Sequence, residues 1–235
     1  MGFYDRKLKR LDINLKKMYE ISNSRSVNSR VYRHNDIAIK SYGALTFKTI
    51  DEEMFDKLAA IKNKHFIELY DLFTYIDDDE YYERLYAYNC GRNTFVIDGY
   101  TSKYYQKDYI NPLHMDSSYL LRNIEEIKEL IDTFSKNNIL VNDFELYNTV
   151  INKDNIVIID PDLYMFSITG EEITRKNNYL ALFALLESIF EGYYIGSKNY
   201  VKSLFKKLEA IDPIDSVEEV ERSLKKVRNP LYLIK

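Results

Sequence analysis

Strand-like and helical patterns are segregated along this chain rather than interleaved, and that order narrows the possible folds more than any other feature. In the first part, Ser29 to Arg33 and Asp36 to Lys40 flank the turn His34-Asn35-Asp36, which reads as a hairpin. A helix follows: Thr49 and Glu52 form a capping-box pair, and Ile50, Met54, Leu58 and Ile61 recur at helical spacing. Phe66 to Tyr75 and Tyr81 to Tyr88 again read as strands, with the acidic run Asp77-Asp78-Asp79-Glu80 as a solvated hairpin tip between them. Beyond Asn111-Pro112 the period changes. Ser117 to Asn137 is expected as a long helix burying Leu120, Leu121, Ile124, Ile127, Leu130, Ile131 and Phe134. A short hairpin, Thr149 to Asn152 and Ile156 to Ile159, interrupts the helical half. Helices then run over about Asn178 to Glu191, Lys198 to Ile211 and Ser216 to Val227, the last capped by Ser216 with Glu219.

A doubly wound parallel sheet needs strands and helices in alternation, which this chain lacks. The expected class is α+β, in two parts. Residues 1–90 would hold a five-stranded sheet and one helix, and residues 91–235 a mainly helical region, joined by a hinge near Asn89 to Arg92. A chain of 235 residues is long enough for one sizeable core or two small lobes.

Charge excludes several functions. The net charge is −4, so there is no overall basic field for nucleic acid or anionic lipid. Arg6, Lys7, Lys9, Arg10, Lys16 and Lys17 read as a solvated helix or terminus. The 22 tyrosines lack a matching basic patch, so strand and interface packing accounts for them better than base stacking. Cys90 stands alone, which rules out an internal disulfide and a cysteine-based metal site. His34, His65 and His114 lack ligand spacing. No apolar run reaches the roughly 18 residues of a membrane span, and Met1 to Leu15 has no signal-like apolar region. A cytoplasmic location is the default expectation.

One constellation carries chemistry. Phosphoryl transfer needs a cation for the nucleotide phosphates, oxygen ligands for metal, and a carboxylate to orient the attacking hydroxyl. Ile37-Ala38-Ile39-Lys40 ends an apolar strand on a lysine, shortly before a helix bearing Glu52 and Glu53. The run Val141-Asn142-Asp143-Phe144-Glu145-Leu146-Tyr147-Asn148 leaves the long helix and enters the hairpin, which delivers Asp160. An aspartate closing an apolar strand beside a loop amide offers hard oxygens suited to Mg2+.

These residues resemble the eukaryotic-like protein kinase superfamily and its small, divergent bacterial relatives, over about residues 20–190. Ile37-Ala38-Ile39-Lys40 is similar to the Val-Ala-Ile-Lys strand of that superfamily, Val141-Asn142-Asp143 through Asn148 to its catalytic loop, and Asp160-Pro161-Asp162 to its Asp-Phe-Gly. The resemblance implies a two-lobed fold that binds ATP and Mg2+. Lys40 would contact the α- and β-phosphates, and Glu53, with Glu52 the less favoured choice, would pair with it. Asp143 would be the catalytic base, Asn148 and Asp160 the metal ligands. The backbone at Tyr88, Asn89 and Cys90 would meet adenine. The acceptor would be a hydroxyl of an unidentified protein or small molecule.

The departures are specific. In Ser24-Arg25-Ser26-Val27-Asn28-Ser29, the serines Ser24, Ser26 and Ser29 stand at the three glycine positions of the phosphate loop, which crowds a close phosphate approach. Val141-Asn142 replaces His-Arg, Glu145 stands where lysine is common, and Pro161-Asp162 stiffens the turn after Asp160. The segment between Asp160 and the helix expected at Asn178 is short for an activation segment. Two functions follow: an active phosphotransferase, which the retained Lys40, Asp143, Asn148 and Asp160 favour, and a pseudokinase serving as a nucleotide-binding or interaction module. Nucleotidyl transfer is a third.

Overall fold

The computed structural model describes residues 9–10, 19–21, 29–42, 50, 52–74, 99–106, 117–192 and 198–226. Ser24, Ser26, Thr49, the acidic turn, the Tyr81 to Tyr88 strand, the hinge at Tyr88, Asn89 and Cys90, and His114 lie outside those residues. The chain divides into a sheet-rich unit, Met1–Lys62 with Glu68–Tyr105, and a helical unit, Asn63–Ile67 with Gln106–Lys235. The class is α+β, with the succession expected of a two-lobed protein-kinase-like fold. The sheet-rich unit runs past residue 90, because a strand that the sequence left unassigned, Gly99–Lys103, lies inside its sheet.

That sheet contains β1 (Lys9–Arg10), β2 (Tyr19–Glu20), β3 (Ser29–His34), β4 (Ile37–Tyr42), β5 (Leu69–Thr74) and β6 (Gly99–Lys103). Its order is β1-β5-β6-β4-β3-β2, six strands among the described residues where five were expected. β1 lies parallel to β5, and every other pairing is antiparallel. The β3–β4 hairpin forms where the sequence places it, and Asn35 takes φ 53° at its tip, a conformation asparagine tolerates. Helix α1 (Glu52–Ala60) buries Met54, Phe55 and Leu58. Phe55 packs on Tyr100 of β6 with ring centroids 6.2 Å apart, and Tyr42 meets Tyr100 edge-on at 6.3 Å.

The helical unit contains α2 (Ser117–Lys136), β7 (Ile139–Leu140), a 3-10 turn (Leu146–Asn148), β8 (Thr149–Ile151), β9 (Ile156–Ile158), β10 (Met165–Phe166), α3 (Glu171–Gly192), α4 (Lys198–Leu208) and α5 (Pro213–Lys226). Of the expected stripe of α2, Leu120, Ile124, Ile127, Leu130, Ile131 and Phe134 are buried, while Leu121 is only half-buried, one position off that face. Asn123 lies within it, fully buried. Its side chain donates to the Tyr119 carbonyl (2.8 Å) and accepts from the Ile156 N–H (2.8 Å), which ties α2 to β9. The segment before β5 completes this region. Phe66 bridges Ile158, and the His65 ring sits between the Ile156 carbonyl (2.8 Å) and Glu126 Oε2 (2.6 Å).

Two helix starts differ from the sequence reading. Helix α3 begins at Glu171 rather than near Asn178, because Asn178 is a buried interior residue, not a cap. Helix α5 begins at Pro213 rather than Ser216. Asp212 accepts a hydrogen bond from the Ile214 N–H (3.0 Å), and proline suits the first helical position. Ser216 instead donates to the Leu208 carbonyl (2.7 Å).

Candidate active site

In the sheet-rich unit, Lys40 is 6% exposed and lies directly opposite Tyr100 in the antiparallel register. Directly paired residues share a sheet face. Lys40 therefore lies on the face where Tyr100 receives Phe55 of α1, with its Nζ 5.9 Å from the Tyr100 ring centroid. A buried ammonium is expensive unless something of opposite charge or polarity compensates it. Its backbone is as constrained as its side chain: a Cβ at Gly99 would come within 1.9 Å of the Lys40 carbonyl oxygen, so β6 can pass here only as glycine. Glu53 is exposed and pairs with Lys57 at 3.6 Å, one helical turn on. Glu52 is the half-buried member of the two. Ser29 is half-buried at the start of β3.

In the helical unit, the loop after β7 brings Asp143, Asn148 and Asp160 to one end of the β8–β9 hairpin. Asn148 directly precedes β8, and its carbonyl accepts from the Ile159 N–H (2.8 Å), the residue before Asp160. Asp143 and Asp160 both adopt left-handed backbone, φ 59° and 64°. Such a conformation costs a non-glycine residue energy and persists where surrounding contacts enforce it. Those contacts are visible at Asp143. Asn148 Nδ2 donates to the Asp143 carbonyl (2.9 Å) and to Oδ2 (2.8 Å), while the Tyr147 hydroxyl donates to Oδ1 (2.7 Å). That last bond is the main reason the Tyr147 phenol is held well above its ordinary pKa, with burial and the charges of Asp143 and Glu145 adding.

The loop is also held from beneath. Asn178 of α3 is fully buried; its Oδ1 accepts from the Val141 N–H (2.8 Å), and its Nδ2 donates to the Ile139 carbonyl (2.9 Å) and Ser135 Oγ (3.0 Å). Asn142 reaches across to the Leu163 carbonyl (2.9 Å). Tyr164 packs its ring against Phe66 and Phe134, and its buried hydroxyl has no hydrogen-bond partner among the described residues. Burial first, then the charges of Asp160 and Asp143, push its pKa far up.

Asn148 uses its amide nitrogen on Asp143, so its oxygen and the Asp160 carboxylate are the hard oxygens here that could hold a cation. Mg2+ is commonly held by one or two protein oxygens and completed by substrate phosphates and water. No group of three or more His, Cys, Asp or Glu side chains that could hold a metal occurs among the described residues.

Beside Asp143 lies an open, shallow depression of about 370 Å3. Asn142, Asp143 and Glu145 line it from the loop, and Asn177, Leu180 and Ala181 from α3. Only residues 161–170 separate Asp160 from α3.

Sequence reasoning missed Asn123, Asn178, Tyr147 and Tyr164. Asn123 and Asn178 did leave a signal, since each falls on the buried spacing of its helix, four positions before Ile127 and Leu182. Tyr147 and Tyr164 left none among so many tyrosines.

No protein-family model matches the chain, and no curated protein matches it. Among solved structures it is similar to the Cydia pomonella granulovirus kinase PK-1, at 17% identity and a TM-score of 0.47, over 72% of this chain and 68% of that one. No helix among the described residues is long and apolar enough to cross a membrane. What the site can do follows from its own geometry.

Proposed function

We propose that the protein is an ATP-dependent phosphotransferase that moves the γ-phosphate to a hydroxyl of a protein or small molecule. The observation that carries this reading is the lock on Asp143, a carboxylate held in a left-handed backbone by both protons of Asn148. Such strain is characteristic of functional sites. Asp143 orients the acceptor hydroxyl and takes its proton. Asn148 and Asp160 hold Mg2+, which neutralises charge between the phosphates when bound. Lys40, already desolvated, supplies a cation for the α- and β-phosphates. The depression beside Asp143 receives the acceptor, and the short 161–170 segment favours a compact acceptor over a long peptide.

One observation favours the second reading, a nucleotide-binding module without turnover: Asp143 Oδ1 is already occupied by the Tyr147 hydroxyl. The two readings separate by mass spectrometry of acceptors incubated with protein, ATP and Mg2+. Turnover that falls by roughly 10²-fold or more in Asp143→Asn, with nucleotide binding retained, supports the enzyme. Binding of ATP with no phosphate transferred by the wild type to water, itself or any acceptor supports the module. Asp160→Asn should abolish the Mg2+-dependent part of the ATP-induced rise in melting temperature; if that part survives, the metal assignment is wrong.

A further inference from the structure

We infer that Tyr147 is an internal phosphate acceptor, a self-phosphorylation site positioned on the protein's own base; this rests on the phosphotransferase reading. The Tyr147 Oη lies 2.7 Å from Asp143 Oδ1 with its proton directed at the carboxylate. A base that activates a hydroxyl must engage it within about 2.6–3.2 Å. The other carboxylate oxygen is occupied by Asn148, so Oδ1 is the oxygen that remains to receive an acceptor, and a hydroxyl of this chain already sits on it.

Packing does not account for this placement. Tyr147 is 67% exposed, whereas Tyr164 is buried among aromatic rings. What holds Tyr147 is the 3-10 turn Leu146–Asn148, which sets it directly before the metal-binding amide and one hydrogen bond from the base.

The step balances without further reagents beyond the nucleoside triphosphate. The Oη–H bond breaks and its proton passes to Asp143 Oδ1. The oxygen lone pair forms a bond to the γ-phosphorus, and the bond from that phosphorus to the β–γ bridging oxygen breaks. The nucleoside diphosphate leaves with the electron pair. Asp143 then releases that proton to water, and the phosphotyrosine, with nearly two negative charges beside the ionised Asp143 and Glu145, is driven off the base by repulsion. Oδ1 then becomes available to an external acceptor, so the same event that labels the chain also opens the site.

The test is phosphosite mapping of the full-length protein after incubation with ATP and Mg2+, with the rate of labelling followed across a hundredfold range of protein concentration. The expected result is phosphate on Tyr147, formed at a first-order rate independent of concentration and missing from Asp143→Asn. Phosphate confined to other residues overturns the inference. So does labelling of Tyr147 whose rate constant rises with protein concentration, since the acceptor would then be serving another molecule's base. If ATP is consumed, or an added acceptor is phosphorylated, while Tyr147 stays unmodified, the inference fails and the phosphotransferase reading stands. If ATP neither binds nor turns over, both fall.

Discussion

Asn148 gives both protons of its amide to Asp143, one to the main-chain carbonyl at 2.9 Å and one to the carboxylate at 2.8 Å. The proposed base and the proposed metal ligand are thereby one unit: the contact that fixes the backbone of Asp143 also commits the Asn148 amide nitrogen and leaves its oxygen as the atom that could meet a cation. A substitution that preserves a metal-binding oxygen at position 148 but removes the donors separates the two tasks.

Asn148→Asp is that substitution. It sets a second carboxylate against Asp143 Oδ2 and an acceptor against the Asp143 carbonyl. We expect a loss of stability of about 1–3 kcal/mol, the scale of an unsatisfied buried polar group, read by chemical denaturation. The loss should shrink when Mg2+ is added at high concentration, because the cation relieves the repulsion. A variant as stable as wild type without metal would show that the Asn148–Asp143 contact does not hold the loop.

The partner of Lys40 can be decided by two conservative changes. Glu53 is exposed and engaged by Lys57, whereas Glu52 is half-buried on the same helix. Glu52→Gln should weaken binding of MgATP several-fold in a titration, and Glu53→Gln should leave it near wild type. The reverse pattern would support Glu53, the assignment that the resemblance favours.

Glu126 provides a pH signature. Burial alone would raise its pKa, but hydrogen bonds from Lys64 and His65 outweigh it and hold the carboxyl below its ordinary value of 4.5. A group whose folded pKa is depressed contributes stability that is fully present above the unfolded pKa and is lost as pH falls through the folded one. The stability difference between wild type and Glu126→Gln should therefore be constant at neutral pH and narrow progressively below about pH 4.5, as read from denaturation midpoints. A difference independent of pH down to pH 3 would show that the Glu126 charge does not contribute.

Asn178→Ala removes one buried side chain and leaves three polar groups without it: the Val141 N–H, the Ile139 carbonyl and the Ser135 hydroxyl. We expect a destabilisation of about 1–3 kcal/mol or more. Hydrogen exchange should show the Val141 amide losing protection before the core of α2 does. Unchanged protection at Val141 would remove Asn178 from the support of the loop.

What was legible in the sequence followed from periodicity. The β3–β4 hairpin, the α2 helix and the β8–β9 hairpin lie where the sequence put them: α2 buries one apolar face, β8 and β9 are short runs buried throughout, and turn residues mark the tip of β3–β4. The sheet's extent was less legible. β6 reads Gly-Tyr-Thr-Ser-Lys, and its polar Thr101 and Ser102 are buried. A strand buried through polar side chains leaves no alternation to find. The start of α5 was misplaced for a related reason: two capping signals lay within five residues, and Asp212-Pro213 prevailed over Ser216 because proline fixes the first turn. In the site, residue types pointed to Asp143, Asn148 and Asp160, but the Asn148–Asp143 contact and the left-handed backbone at both aspartates are announced by no local pattern.

The grip of Asn178 on the loop has a consequence for how such a sequence can drift. Its hydrogen bonds to that stretch go to main-chain atoms, the Ile139 carbonyl and the Val141 N–H. Inherited changes to the side chains at 141 and 142 therefore leave that anchorage intact, and the shape of the loop can outlast the residues that first composed it. Position 178, by contrast, has no such latitude, since the loop's main chain hangs on its amide.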